Sequence, residues 1–458
     1  MNQFIKRSAS VSASDRFFFP PSITSILVEG RMVYLSPTTG NWLVVEPEDQ
    51  PLLDRLVAGE KIGTLAASLK APNDLTRLKR LLAQITARQF ALTDSVPVPS
   101  RGLSAKGAYF YLTNACNLRC SHCYMFSGKA EARELSVHEW IKVLDAFVAA
   151  GGTSITFSGG EVLAKKGWLQ ILEHAHRAGV SATVLTNGTL WDAELVASAA
   201  PCIAEVQVSL DGPTEATNAH TRGVGAFQKA IRTAQLFSAA GVRTSIAMTP
   251  TPETLDIFEH GFKEFFEQEI AGKGINVRIS HKLLPGRTVS APVGQEKLHY
   301  QEIAQRLADQ IYPSSRIRSF SLEHHPNELH FNCGYGGASI SSTGDVYPCN
   351  RIGDVRSIGN IREQDLKELF PLLAQAEQAT NVDEITPCKW CDLRYICGGG
   401  CRIDDYYLQS PGGKPALFRD AVASRGAVKK DICPEDYRES LLKLMVELTE
   451  YQFGLYEY

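Results

Sequence analysis

The stretch TNACNLRCSHCYMF, Thr113–Phe126, places Cys116, Cys120 and Cys123 in a C-x3-C-x2-C loop directly behind the strand-like run AYFYLT. Outward from it the chain alternates: SITFSG, SATVLTNG, AEVQVSLDG, RTSIAM and NVRISHKL read as further strands, with helical stretches in the gaps. Such alternation implies right-handed crossovers and parallel strands, and it puts ligand sites at the carboxyl ends of those strands. Cys116, Gly159, Asn187 and Asp211 each follow a strand. One helix is specified in detail, in SVHEWIKVLDAFVAAGG: Ser136 and Glu139 make a capping box, and Val137, Trp140, Leu144 and Phe147 form an apolar stripe. Gly151 can take the left-handed position beyond its last turn. After about Pro285 regular order weakens, and a final helix, EDYRESLLKLMVELTEYQF, offers Leu441, Leu444 and Leu448 for docking on something already folded.

Upstream of this region lies a separate pattern. ITSILV, RMVYL and NWLVV are short β-rich runs, the last two divided by the turn signal SPTTG. DQPLLDRLVAG, IGTLAASL and DLTRLKRLLAQITARQF follow as helices, the last with Leu75, Leu78, Leu82 and Ile85 on one face. TDSVPVPSRGLSAK, rich in proline and serine, reads as a linker. At 458 residues the chain exceeds a single core, which rarely grows past about 250 to 300 residues. A net charge of -3 without long runs of one sign argues against an electrostatic nucleic-acid binder. No apolar run approaches the roughly 18 residues that span a bilayer, so no membrane is expected, and the chain reads as cytoplasmic.

Eleven cysteines are many for a reducing compartment, and ten of them fall in two groups, leaving Cys202 alone as a small apolar filler. Three thiolates on one tight loop can hold three irons of a cubane and leave the fourth iron open to a bound molecule. Zinc, which prefers four closed ligands, is the competing occupant, with His122 as a proposed fourth. The second group runs Cys333, Gly344, Cys349, then Cys388-x2-Cys391-x5-Cys397-x3-Cys401, then Cys433. Two zinc ribbons would use such cysteines, but they explain neither the odd count nor the Gly344 turn.

The cysteine loop ending in Tyr124, with SGGE at the end of the second strand and the later LTNGT and SLDG segments, resembles the radical S-adenosylmethionine (radical SAM) superfamily over roughly Gly107 to Gly286. That resemblance implies a 4Fe-4S cluster on Cys116, Cys120 and Cys123. Its open iron would be chelated by SAM, which is cleaved to a 5′-deoxyadenosyl radical. It also implies SAM contacts from Tyr124, Ser158, Gly159, Gly160, Glu161, Thr186, Asn187, Gly188, Ser209, Asp211 and Arg222. Gly159 and Gly160 would let backbone approach the ligand, Glu161 would meet its cationic amine, and Ser209 and Arg222 would hold its carboxylate. The second cysteine group resembles the SPASM domain of radical SAM enzymes that act on peptides and proteins. By that resemblance Cys388, Cys391, Cys397 and Cys433 ligate one auxiliary 4Fe-4S cluster, and Cys333, Cys349 and Cys401 ligate another, three clusters in all. The preceding segment SFSLEHHPNELHFNC lacks the further cysteine of sulfatase-maturing relatives, so an open iron is expected on the latter cluster unless His324, His325 or His330 fills it.

The amino-terminal unit resembles, by pattern alone, the winged-helix-like recognition element (RRE) fused to maturases of ribosomally synthesised peptides. The expected architecture is α/β: residues 1–95 an RRE-like domain, 96–106 a linker, 107–310 a partial (β/α)6 radical SAM barrel, 311–440 a SPASM domain and 441–458 a C-terminal helix. The implied activity is maturation of a precursor peptide with a leader, by hydrogen abstraction and oxidative thioether or carbon-carbon crosslinking. Flavodoxin or ferredoxin would be the electron donor. Maturation of a folded protein, of the formylglycine-forming or amine-dehydrogenase type, is one alternative. A non-catalytic iron-sulfur or zinc scaffold is another. Asp345, Asp404 and Asp405 lie near cluster cysteines, but no catalytic base is identified.

Overall fold

Near the amino terminus, Thr24–Val45 folds as three antiparallel strands: β2 (Thr24–Val28), β3 (Arg31–Ser36) and β4 (Asn41–Val45), in the spatial order β2-β3-β4. A short pair, β1 (Phe17–Phe18) with β5 (Leu92–Thr93), closes the unit. The computed structural model describes residues 11–36, 40–93, 106–311, 334–403, 406–409, 416–417, 427–430 and 435–454. The linker up to residue 105, Cys333, Cys433, Asp404, Asp405 and the three histidines near 330 lie outside the described residues.

Helices α1 (Gln50–Val57), α2 (Ile62–Ser68) and α3 (Pro72–Ala87) cover one face of this sheet, packing Leu53, Leu56, Leu65, Leu78, Leu81 and Ile85 on Leu43 and Val45. The expected α3 stripe needs one correction: Leu75 is exposed, and Leu81 takes the buried place in its stead. The other sheet face is also covered. Val33, Leu35, Trp42 and Val44 pack on Leu441, Leu444, Met445 and Leu448 of the C-terminal helix Glu435–Thr449, together with Leu393 and Ile396. That helix begins at Glu435, where the EDYRES run opens. Trp42 donates its indole N–H to Thr449 Oγ1 at 3.3 Å, and the buried Arg88 donates to the same oxygen at 2.9 Å while stacking on the Trp42 ring.

The central sheet starts with β6 (Lys106–Tyr111), β7 (Gly152–Ser158), β8 (Ser181–Thr186), β9 (Glu205–Ser209), β10 (Arg243–Met248) and β11 (Ile275–Ile279), all parallel and adjacent in chain order. Helices α4 (Val137–Ala149), α5 (Trp168–Arg177), α6 (Ala193–Ala199), α7 (Glu215–Arg222), α8 (Phe227–Ala239) and α9 (Leu255–Phe265) fill the crossovers. The capping box of α4 is present, and Trp140, Val143, Leu144 and Phe147 are its buried residues. Two features depart from the sequence reading. Beyond Pro285 a long helix, α10 (Gly294–Ile311), buries Tyr300, Ile303, Ala304 and Leu307 against the same core, where the sequence reading expected regular order to weaken. The sheet also continues past β6: β12 (Ala338–Ile340) pairs parallel with it, and β13 (Asp345–Tyr347) and β14 (Gly359–Asn360) follow antiparallel, making nine strands. Among the described residues, no helix is long and apolar enough to cross a membrane.

Arg362 joins the two halves of this sheet. It donates to Glu139 Oε1 at 2.8 Å and to the carbonyl of Arg133 at 2.7 Å. The Arg362 bond and the Ser136 backbone N–H hold the Glu139 carboxyl at about 2, well below the usual carboxylate range. Because the folded value is depressed, this stabilisation is present above the unfolded value near 4.5 and is lost as pH falls towards 2. Thermal unfolding of Glu139→Gln should therefore differ from the native chain at pH 7, and the difference should shrink through pH 4 to 3 and vanish only at about pH 2 and below. Trp42→Ala empties a fully buried site and is expected to cost about 3 to 5 kcal/mol. Hydrogen exchange should accelerate in β2–β4 and in Glu435–Thr449 together, since they share that core.

Candidate active site and cysteine centres

Each parallel strand delivers its terminal residues to one end of the sheet. Behind β6 the chain forms the closed loop 114–128, in which Cys116 N–H donates to the Gly128 carbonyl at 3.2 Å and Gly128 N–H donates to the Asn114 carbonyl at 2.8 Å. Glu134 stakes its base, accepting from Thr113 Oγ1 at 2.8 Å and from Asn114 N–H at 2.7 Å. Ser121 N–H bonds the Thr221 carbonyl at 2.9 Å, and Arg287 donates to the Ser127 carbonyl at 2.8 Å. Sequence reading missed Glu134 and Arg287, whose partners lie far along the chain or on its backbone.

Gly159 and Gly160 turn out to serve this loop. A Cβ on Gly159 would meet the Thr113 carbonyl oxygen at 2.4 Å, and one on Gly160 would meet that of Ala115 at 2.3 Å. Gly160 and Glu161 donate their N–H groups to the same two carbonyls at 2.7 and 2.9 Å. The space that a Cβ would occupy at either glycine is filled by the cysteine loop. Glu161 is likewise engaged. Its buried carboxylate accepts from Thr186 Oγ1 at 2.7 Å and Asn187 N–H at 2.8 Å, tying the end of β7 to that of β8, and burial raises its pKa. Gly188, at φ 76°, lies against Val208 and the α8 backbone, and its carbonyl accepts from Thr233. Ser158 and Ser209 are half-buried at their strand ends.

The thiols face donors. Leu118 N–H points at Cys116 Sγ at 3.4 Å, and Asn187 Nδ2 lies 3.8 Å from the same sulfur. Arg222 Nη1 lies 3.9 Å from Cys120 Sγ. Asp211, wholly buried, pairs with Arg222 Nε at 2.6 Å and His122 Nε2 at 3.2 Å, and it accepts from Thr249 N–H at 3.0 Å. It therefore lies beneath the Arg222 guanidinium and fixes its direction. His122 belongs to this pair, with its Nδ1 buried and unbonded. Burial raises the Cys116 and Cys120 thiols and lowers the His122 imidazole. Sulfurs surrounded by N–H donors suit metal-bound thiolate, so the residues fit an iron-sulfur group.

The second thiol group lies beyond β13. Cys349 and Cys401 pack with Cys388, Tyr335, Ile385 and Ile403, while Cys391 and Cys397 border the core under the amino-terminal sheet. The Cys397-Gly-Gly-Gly-Cys401 turn needs its glycines, since Gly398, Gly399 and Gly400 have φ of 65°, 79° and 80°. Arg402, fully buried, holds the turn by donating to the Gly398 carbonyl at 2.7 Å and the Thr380 carbonyl at 2.9 Å. The two thiol groups meet through tyrosines. Tyr111, at the end of β6, donates to the Asn350 carbonyl next to Cys349 and bonds Tyr124 next to Cys123; burial raises both phenols. Asp345 is taken up by Thr343 at 2.8 Å and Asn360 at 2.9 Å within the β13 hairpin.

The radical SAM superfamily model matches residues 110–264, and an iron-sulfur cluster-binding (SPASM) domain model matches 332–392. Mycofactocin maturase MftC of Mycobacterium ulcerans is 34% identical over 346 residues, covering 69% of this chain and 91% of that protein. The chain belongs to the radical SAM superfamily. It is a radical SAM enzyme of the SPASM subfamily, with SAM and 4Fe-4S clusters as its cofactors. An AdoMet-dependent heme synthase of Nitratidesulfovibrio vulgaris is 26% identical, covering 65% of this chain and 87% of that protein. The solved structure of anSMEcpe with bound AdoMet shares the fold, at 19% identity and TM-score 0.56, covering 77% of this chain and 96% of that one. In the radical SAM unit the Gly160 contact gives a direct test. Gly160→Ala forces a backbone clash at 2.3 Å and should displace the cysteine loop. Alkylation of Cys116 should then speed up severalfold with far-UV circular dichroism unchanged; an unaltered rate would show that the loop does not rest on this glycine.

Proposed function

We propose that this enzyme matures a ribosomally synthesised precursor peptide in the cytoplasm, forming an oxidative crosslink, with its electrons supplied by a flavodoxin or ferredoxin. Cys116, Cys120 and Cys123 hold the SAM-binding cluster. Cys388, Cys391, Cys397 and Cys433 hold one auxiliary cluster, and Cys333, Cys349 and Cys401 the other. When bound, the first group with SAM supplies a 5′-deoxyadenosyl radical that abstracts a hydrogen atom. Arg222, aimed by Asp211, is placed to hold the SAM carboxylate, and Asn187 to orient the ribose side. Tyr111 keeps the two thiol groups in fixed relation through Asn350.

The observation that carries the peptide reading is the amino-terminal sheet, for which we infer the RRE-like role. Its β4 edge is closed, because the Gln84 side chain both donates to the Val44 carbonyl at 3.1 Å and accepts from its N–H at 3.2 Å. Its β2 edge, with Leu27 68% exposed, is the side to which an extended leader can add a strand. Five residues, about half of them facing outward, offer two or three bonds of about 1 kcal/mol each. Side chains such as Leu27 must supply the remaining affinity. The sheet is not detachable, since its second face is the bed of Glu435–Thr449, so residues 1–95 cannot be removed as an independent module.

The test uses the reconstituted full chain with SAM, a reductant and a candidate precursor peptide. About 12 irons per chain, 5′-deoxyadenosine formation and a peptide mass lower by about 2 Da are expected. Leu27→Lys should weaken peptide binding by about tenfold while 5′-deoxyadenosine formation without peptide persists. Turnover of an iron porphyrin with no change in the peptide would overturn this reading in favour of heme-synthase chemistry.

A further inference from the structure

Among the described residues three arginines lie beside cysteines of the two thiol groups, and each pairs with an aspartate. Arg222 stands between Asp211 and Cys120 beside the first group. In the second group, Arg351 Nη1 donates towards Cys401 Sγ at 3.7 Å and its backbone N–H towards Cys349 Sγ at 3.4 Å, while Asp354 holds the guanidinium at 2.6 Å. Arg438 Nη1 lies 3.8 Å from Cys391 Sγ with Asp392 at 3.7 Å, and the Tyr437 hydroxyl lies 3.5 Å from Cys397 Sγ. The donors thus divide the cysteines into two pairs, Cys349 with Cys401 and Cys391 with Cys397. Cys397 and Cys401, four residues apart, fall in different pairs.

We propose that Arg351 sets the reduction potential of the auxiliary cluster on Cys349 and Cys401, and that Arg438 acts in the same way, more weakly, on the cluster of Cys391 and Cys397. This rests on the reading that these thiols carry clusters. The physical ground is general. One-electron reduction adds negative charge to the cluster, and a nearby cation or N–H donor to sulfur favours the reduced form and moves the midpoint upwards. Burial sets the size of the effect, because an exposed charge is screened. The Arg351 side chain is 17% exposed with an aspartate at 2.6 Å, whereas that of Arg438 is 43% exposed with its aspartate at 3.7 Å. The half-buried, rigidly held guanidinium has the greater influence. Arg351 is a positioning residue in this sense, acting on the substrate only through the potential of its cluster.

The experiment uses the full chain with Cys116, Cys120 and Cys123 all changed to Ala, so that only auxiliary iron reports. About eight irons and two midpoints are expected by potentiometric electron paramagnetic resonance. Arg351→Met should keep the iron and move one midpoint negative. Arg351→Lys, which retains the cation, should restore most of the shift. Arg438→Met should move the other midpoint, by less. Full iron with both midpoints unmoved in Arg351→Met would overturn the assignment, as would a loss of about four irons in that variant, which would make Arg351 a structural support. If the three-cysteine variant binds no iron while the native chain binds about four, the auxiliary reading itself fails, and with it this proposal.

Discussion

Strand β6 has a neighbour on each side, and the placement of both thiol groups follows from that pairing. On one side β7 brings Gly159 and Gly160 under the cysteine loop. On the other, β12 pairs in parallel and leads into the hairpin before Cys349. Tyr111 ends β6 and is buried between them, reaching Asn350 with its hydroxyl and Tyr124 from the first loop. Because a strand pair fixes register to the residue, a shift of β12 by one position would turn every side chain of the hairpin to the opposite face. The separation of the two cysteine groups is therefore set by backbone hydrogen bonds and does not depend on a flexible tether.

Much of this was legible in the chain itself. Six alternating strand runs, the Ser136–Glu139 cap and the two cysteine spacings each carry a local signal, and the folded chain has the corresponding parallel strands and capped helix. What escaped had physical reasons. In α10 the buried Tyr300, Ile303, Ala304 and Leu307 are interleaved with Gln301, Glu302, Gln305 and Arg306, so composition masks a sound helical spacing. Strands β12 to β14 are two or three residues long, too short to show a period. Leu75 and Leu81 are equally apolar and within one helix, and only tertiary packing decides which is buried.

The site residues divide along the same line. Sequence spacing identifies the thiols, because their chemistry resides in the residue itself. Glu161, Asp211 and Gly160 are marked there by their motifs, but the partners they touch are set by the fold. A buried carboxylate needs partners, and here both acids find them at strand ends: Glu161 on Thr186 and Asn187, Asp211 on Arg222, His122 and Thr249. These motif residues thus hold other motif residues in place. Of this set, Arg222 and Asn187 extend to the sulfurs.

The amino-terminal sheet carries the same logic to the far side of the molecule. All five positions of NWLVV in β4 are buried, which a strand tolerates only when both of its faces are covered. One cover is its own helices, and the other is the C-terminal helix together with the segment bearing Cys391 and Cys397. The amino-terminal unit thus shares its core with Cys391 and Cys397. One layer of packed side chains separates the sheet from that segment. Close packing makes that layer stiff, since interiors have few voids to absorb a displacement. The amino-terminal sheet and the segment bearing Cys391 and Cys397 are for that reason one mechanical body, joined through the cluster that holds Trp42, Leu444 and Ile396.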